Sequence, residues 1–290
     1  MTVIGITGAS GALGRLVAQT VLAAHPAQDV VLFSRSPGSL TEFTGGGATA
    51  RPADFNRPET LTDDFRGVDV LLLISTDSVG RRQAQHRAAI EAAAAAGVRR
   101  IAYTSTANAD REFPEKLRPL TDDHAATEEA LRAAGPAWTI LRNSLYLEVI
   151  SGGWAQAAAT GRLISNNGSG RHAPVSRADC AASAAAALVG DGHGDTVYEI
   201  TGPRLVDDTA VASALADHHG RSVDVVRVRD DDFEQGLSAA GLPAELAGLM
   251  TGFGAAIRGG LMEVPLGDTE KLIGRTPTSI EQFLDASRGA

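Results

Sequence analysis

An apolar run, VIGI, leads directly into TGASGALG at Thr7–Gly14, and LVAQTVLAA follows with apolar residues at helical spacing. Strand, glycine-rich turn and helix within 24 residues is the opening of a βαβ unit, and little else reads this way. The same alternation continues. VVLF (30–33) and the weaker ATARPAD (48–54) are strand-like, and LTDDF (61–65) suggests a short helix. VDVLLLIS (68–75) is a continuous apolar strand of the kind buried on both faces. A helix is expected over 80–96, closed by Gly97, followed by the strand RRIAYTS (99–105). A further helix is expected over 121–134, stopping before Gly135-Pro136, and then AWTILRN (137–143) as a sixth strand. Strand and helix in turn at this spacing predict a parallel sheet with crossover helices on both faces, an α/β doubly wound fold.

Gly8, Gly11 and Gly14 give G-x-x-G-x-x-G between the first strand and the first helix. That is where a dinucleotide fold receives a pyrophosphate: the turn must be tight, the backbone must approach the phosphates, and the helix start offers free N–H groups. In a chain with 32 glycines the spacing alone is weak. The alternating pattern around it is what favours a phosphate site over a bare turn. A cofactor with a free ribose hydroxyl is usually held by an acid at the end of the second strand. Here that strand ends in Ser34-Arg35-Ser36. Arg35 can fork onto a 2′-phosphate, with Ser34 or Ser36 adding a hydroxyl, which points to NADP(H). The alternative for Arg35 is a solvated surface arginine.

Composition narrows the remaining classes. Hydrophobic residues make up 43% of the 290 residues and charged ones 21%, an ordinary balance for a chain with a core. The net charge of −9, without any basic block, argues against a nucleic-acid partner. No apolar run is long enough to span a bilayer, and MTVIGI lacks the basic start of a signal peptide. A single cysteine, Cys180, permits no internal disulfide. Together these lead us to expect a cytoplasmic protein, monomeric or homodimeric.

The second half is less regular. GRLIS (161–165), VYEI (197–200) and VDVVRV (223–228) are strand-like, and 178–189, 207–219, 243–258 and 279–287 helix-like. The expected division is a nucleotide-binding domain over 1–150, completed by about 175–205, and a smaller substrate lobe interleaved with it over 151–290. His218-His219 with Asp217 do not make a metal site, because adjacent residues on a helix point apart and no third ligand has suitable spacing. Cys180 reads as a small buried helix residue. Asp179 reads as a cap or as a partner of Arg177, and the acids 230–232 as a helix start.

Short-chain dehydrogenases on this fold commonly use Tyr-x-x-x-Lys. Four residues after Tyr103, Tyr146 and Tyr198 stand Ala107, Ile150 and Gly202, and Lys116 and Lys271 are the only lysines. The usual proton-transfer dyad is absent. The order of TGASGALG, SRSP, ADF, LLLIS with QHR, IAYTS, DDHAATEEALRAAG, ILRNSLY and SRADCA instead resembles the NmrA-like, atypical short-chain dehydrogenases, and within them the branch that reduces quinones and triphenylmethane dyes. LRNSLY together with DDHAATE carries most of that resemblance, which runs over nearly the whole chain to GGL (259–261) and KLIG (271–274).

The resemblance implies a Rossmann-type domain with a small α/β C-terminal substrate lobe, NADPH as cofactor, and reduction of quinones or similar planar electron-poor acceptors. It implies that Gly8, Ala9, Ser10, Gly11, Ala12 and Leu13, with Gly14 behind them, wrap the pyrophosphate. Arg35 would meet the 2′-phosphate, Ser75 and Thr76 would lie along the cofactor, and Asn143 to Tyr146 near the nicotinamide. His124 falls where related reductases have a lysine. The segments 75–83 and 172–176, with His172, would shape the pocket.

Two proton donors are candidates. Tyr146 is one, and it could equally be a stacking wall or a packing tyrosine. His124 is the other, its pKa expected to be raised by Asp122 or Asp123; it could equally be a plain helix-start histidine. His86 could orient cofactor or substrate, or sit at the core edge. Besides a quinone-type reductase, two other readings stay open: an NADP(H)-binding redox sensor, and a reductase of imines, enones or dyes.

Overall fold

The apolar runs form the strands of one parallel sheet. They are β1 (Ile4–Ile6), β2 (Val30–Ser34), β3 (Thr49–Pro52), β4 (Val70–Leu73), β5 (Arg100–Thr106), β6 (Ala137–Asn143) and, after an excursion, β8 (Thr196–Ile200). Their order is β3-β2-β1-β4-β5-β6-β8, and every pairing is parallel. This computed structural model describes residues 2–78 and 80–287. Met1, 288–290 and Val79, which falls within the stretch 75–83, lie outside the described residues.

Side chains alternate along each strand, and both faces are apolar. Ile4, Ile6, Val30, Leu32, Val70 and Leu72 pack with Val17 and Val21 of the helix Ala12–Ala24 and Ala181, Ala184 and Leu188 of the helix Arg177–Val189. Val31, Phe33, Leu71, Leu73, Ile101 and Tyr103 pack on the other face with Ala89, Ile90 and Ala93 of the helix Arg82–Ala95 and Leu131 of the helix Arg118–Ala133. The last of these begins three residues earlier than the pattern implied. Pro119 stands in its first turn, where a missing N–H costs nothing.

β7 (Arg162–Ser165) and β9 (Asp224–Arg227) pair parallel as a separate two-stranded sheet. A third core of Trp154, Val211, Leu215, Ile280 and Leu284 covers it. A fourth, with Phe113, Leu117, Leu145, Ile257 and Met262, joins the helix Ala244–Arg258 to the ends of the main sheet. The short helices Trp154–Thr160 and Asp268–Ile273 had no clear signal in the sequence.

At the C-terminal ends of β6 and β8, Arg142 and Glu199 face each other in register. Buried Arg142 donates to both oxygens of buried Glu128, at 2.9 and 2.8 Å, and reaches Glu199 at 3.5 Å. Burial outweighs that ion pair at Glu199 and pushes its pKa up to about 7. The folded state therefore holds a proton that the unfolded state releases near pH 4.5, so this residue's contribution falls as pH rises from about 5 through 7. Glu199→Gln removes the titration. Its Tm should exceed that of wild type by about 2–4 °C at pH 8.5 and by much less at pH 5. An equal difference at both pH values, by scanning calorimetry, refutes the assignment.

Candidate cofactor cleft

β1 and β4 are neighbours in the sheet, yet their following connections diverge to β2 and β5. This is the topological switch point, where open α/β sheets bind ligands. A cleft of about 470 Å³ lies there. Its walls are the turn after β1 (Thr7, Gly8 and Ser10–Gly14), the end of β2 (Ser34, Arg35), the segment after β3 (Ala53–Asn56), the segment after β4 (Ile74–Ser78), and Gln85, Tyr146 and Arg177.

The glycine turn is held from several sides. Gly8 has a left-handed φ of +61°, and Gly11 donates from its N–H to the Gly8 carbonyl at 2.9 Å. Ala9 is fully buried and donates to the Phe33 carbonyl at 3.1 Å; it pins the turn to β2 rather than facing the cleft. Arg15 donates to the carbonyls of Ser10 and Ser39 and pairs with Glu42. The helix that follows has neither a side-chain cap nor an acid in its first turn. Its leading N–H groups and positive dipole end are thus available to an anion.

At the end of β2, Ser34 Oγ bonds Ser10 Oγ at 3.0 Å and accepts from the Ser36 N–H at 3.1 Å. Arg35 is exposed on the cleft wall. Asp54 lines the same cleft, and its Oδ1 accepts from both the N–H and the side-chain amide of Asn56. An exposed guanidinium on this wall suits a phosphate.

The segment after β4 is tied down residue by residue. The N–H groups of Ile74, Ser75 and Thr76 donate to Thr7 Oγ1, Thr104 Oγ1 and His86 Nε2, at 3.0, 2.9 and 3.1 Å. Gly80 donates to Asp123 Oδ2 at 3.1 Å. Thr76 Oγ1 donates to Gln85 Oε1, whose amide donates to Asn56 Oδ1. His86 lies beneath the cleft floor, fully buried. Thr127 Oγ1 donates to the Asp123 carbonyl, so it accepts from His86 Nδ1–H. That fixes the neutral Nδ1–H tautomer, in keeping with a pKa pushed down to about 3 by burial and by Arg82.

At the opposite end, Tyr146 lines the cleft with Arg177, whose guanidinium sits 5.3 Å from the ring centroid. Asn143 donates to the Tyr146 hydroxyl at 3.0 Å and is itself buried behind it. Burial raises the Tyr146 pKa, so the phenol is protonated at neutral pH. The Glu148 carboxylate accepts the Arg177 N–H and fixes the start of that helix.

Besides Ala9, His86 and Asn143, which are buried and do not line the cleft, three expected positions are different in the structure. His124 does not reach the cleft. It is buried, bonded through Nδ1 to the Tyr103 hydroxyl at 2.7 Å, and its pKa falls to about 3. Burial, Arg82 and His86 set that value, against the expected lift from Asp122 or Asp123. His172 is buried in a backbone bridge with Val206, its pKa lowered to about 4 by burial, and it too is off the cleft wall. Asp179 pairs with Arg275, at 2.6 Å, and not with Arg177. Asp77 and Ser78 line the cleft within the stretch 75–83 expected to shape it; conversely, Asp54, Asn56, Gln85 and Arg177 line it without having been singled out as site residues. Asp54 and Asn56 lie on a strand-to-helix connection, which the switch-point rule would have flagged.

The fold and cleft define a dinucleotide-binding protein of the doubly wound class. The model of the NAD(P)H-binding family matches residues 8–190, and the chain belongs to that family. It is 36% identical to quinone oxidoreductase 2 of Escherichia coli (strain K12) over 96% of each chain. The crystal structure of that enzyme with NADPH superposes with a TM-score of 0.93, covering 98% of this chain and 99% of the other. Triphenylmethane reductase of Citrobacter sp., crystallised with NADP(H), superposes with a TM-score of 0.92 at 31% identity, covering 99% and 100%. An Aspergillus flavus oxidoreductase with an NmrA-like family domain is 28% identical over 79% of this chain and 75% of its own. Among the described residues no helix is long and apolar enough to cross a membrane.

Proposed function

We propose that the chain is an NADPH-dependent reductase that delivers hydride to quinones or similar planar, electron-poor acceptors, acting in the cytoplasm as a monomer or homodimer. One observation carries the reading: a cleft at the switch point pairs a phosphate-ready helix start with Ser34-Arg35 at one end and opens at Tyr146 at the other. NADPH, when bound, supplies the hydride. The Gly8–Gly14 turn would hold its diphosphate, Arg35 and Ser34 its 2′-phosphate, and Ile74–Ser78 its length.

The absence of Tyr-x-x-x-Lys suits this chemistry. Reducing an aliphatic ketone makes an alkoxide, which needs a strong proton donor. Reducing a quinone makes a phenolate stabilised by the new aromatic ring, and water can supply the proton. The protein's task is then to set ring against ring and to limit water. Tyr146, protonated and braced by Asn143, offers a planar wall with a polar tip for that purpose.

The test is NADPH oxidation followed by absorbance with a naphthoquinone, less the rate without enzyme. Saturable, enzyme-dependent turnover is expected; tight NADPH binding without turnover on quinones or dyes overturns the reading. Arg35→Ala should weaken NADPH binding by about 10–100-fold, the value of a charge-assisted fork, and NADH binding by less than about 3-fold. Equal losses for both, by fluorescence titration, remove Arg35 from the phosphate site.

A further inference from the structure

We propose that Arg82 is an anion-receiving group of the acceptor subsite, placed to take the oxygen that becomes negative when a quinone-type carbonyl accepts hydride. This rests on the reductase reading and adds a residue to it. Arg82 opens the helix Arg82–Ala95, shortly after the cleft-lining segment that ends at Ser78. It is 8% exposed, and its Nε and Nη1 are buried with no hydrogen-bond partner among the described residues.

A buried guanidinium with idle donors costs several kcal/mol, which a fold does not retain without a compensating partner. Arg142, the other buried arginine among the described residues, shows the structural alternative: it is saturated by Glu128 and reaches Asp110 and Glu199. Arg82 has nearby groups that favour its charge, Tyr103 first and then Asp123 and the cleft-lining Asp77, and no hydrogen bond to Nε or Nη1 among the described residues. Asp123 already accepts from Gly80. His86 and His124 beside it are neutral, each depressed by burial and by Arg82 itself. Burial outweighs these charges and lowers the Arg82 pKa, so the guanidinium is desolvated while its Nε and Nη1 donors stay unoccupied among the described residues.

Helical spacing sets its direction. Gln85, three residues on, lines the cleft, and His86, four residues on, holds Thr76. Arg82 shares that face. When hydride adds to a quinone, its electron pair displaces the π electrons toward the far carbonyl, and the product is a hydroquinone monoanion with NADP+. Unoccupied N–H donors on a fixed cation suit that oxygen. The guanidinium keeps its own protons throughout, and the monoanion takes its proton from water.

The experiment uses Arg82→Met, which keeps the length and loses the charge. With NADP+ saturating, the wild-type chain should bind 4-nitrophenolate, a stand-in for the monoanion, and R82M should bind it at least ~10-fold more weakly, with NADPH affinity unchanged. Its kcat on a naphthoquinone should fall ~100-fold, the loss typical of removing an oxyanion donor, and methylguanidinium should restore part of the rate in Arg82→Ala. Retained phenolate binding and kcat, or losses that track only a lower Tm without rescue, overturn the proposal. Arg82→Lys covers the case in which R82M does not fold: smaller losses of the same kind are expected, and unchanged phenolate affinity overturns it. If wild type reduces no quinone, the reductase reading falls and the phenolate titration alone decides the role of Arg82.

Discussion

Gly14→Ala should yield a protein that binds NADPH at least ~100-fold more weakly and unfolds about 6–10 °C earlier, if it accumulates folded at all. A β-carbon at position 14 would lie 2.1 Å from the Gly8 carbonyl oxygen and 2.8 Å from the Ala9 α-carbon. Both obstacles are backbone, and neither can swing away. The Gly8 peptide is fixed by the Gly11 N–H, and Ala9 by its bond to β2. The helix Ala12–Ala24 would have to withdraw by about 1 Å, since real contacts to a β-carbon need about 3.4 Å or slightly less. That would pull its free N–H groups off the diphosphate and open the packing of Val17 and Val21 on the sheet.

Gly11→Ala is the control. Its β-carbon would meet only the Gly8 oxygen, at 3.3 Å, at an ordinary negative φ. Its Tm should stay within about 2 °C of wild type, with cofactor affinity reduced by side-chain bulk in the cleft. Calorimetry and fluorescence titration of the pair decide the matter. A Gly14 variant that melts and binds like the Gly11 variant would show that close packing of helix on turn is not what the third glycine is for.

The contrast between these glycines shows what the sequence could and could not reveal. The spacing of Gly8, Gly11 and Gly14 between a strand and a helix located the turn, and apolar runs with two-residue alternation located the sheet, because both are local consequences of backbone geometry. What was not legible depends on contacts between distant residues. His124 shares a helix face with Thr121, Glu128 and Leu131, all buried. Three of those four are polar, so no hydrophobic pattern marked that face as the inner one. Its partner Tyr103 lies on β5, out of local view, and a histidine beside two aspartates read as a candidate proton donor with a raised pKa, or as a plain helix-start histidine. Arg82, in a stretch of polar and charged residues, gave no sign that its side chain would be enclosed. The cleft residues Asp54, Asn56 and Gln85 are brought together only when β3 and β4 take their places on either side of β2 and β1.

Asp179 makes the same point with a larger energetic consequence. Its nearest cation in sequence is Arg177, yet its carboxylate turns to a segment 96 to 99 residues away. It is fully buried. Oδ1 accepts from Arg275 at 2.6 Å, and Oδ2 from the Thr278 N–H at 2.7 Å and Ser176 Oγ at 2.8 Å. Ser176 Oγ in turn caps the helix by accepting the Asp179 N–H. One carboxylate thus fastens residues 275–278 to the start of the helix that packs on Ala12–Ala24 and presents Arg177 to the cleft.

Asp179→Ala leaves the Thr278 N–H and the Ser176 hydroxyl without their buried acceptor, and should cost about 3–4 kcal/mol, or roughly 5–7 °C in Tm. Arg275 is half in solvent and adds little to that loss. Asp179→Asn retains acceptor capacity on one oxygen and should lose about half as much.

The pH dependence separates this residue from Glu199. Burial alone would raise the Asp179 pKa, but the donors from Thr278, Ser176 and Arg275 hold it below the ordinary carboxylate value. Its contribution is therefore complete above the unfolded pKa of 3.8 and disappears only as pH falls through the lower folded value. The stability gap between wild type and Asp179→Asn should be flat from pH 8 to pH 5 and close in stronger acid. Over that same span of pH 8 to 5 the gap to Glu199→Gln should change, and in the opposite sense. An Asp179→Asn gap that narrows between pH 7 and 5 would mean that the buried carboxylate is protonated in the native state, and that hydrogen bonds to a neutral acid hold the helix start in place.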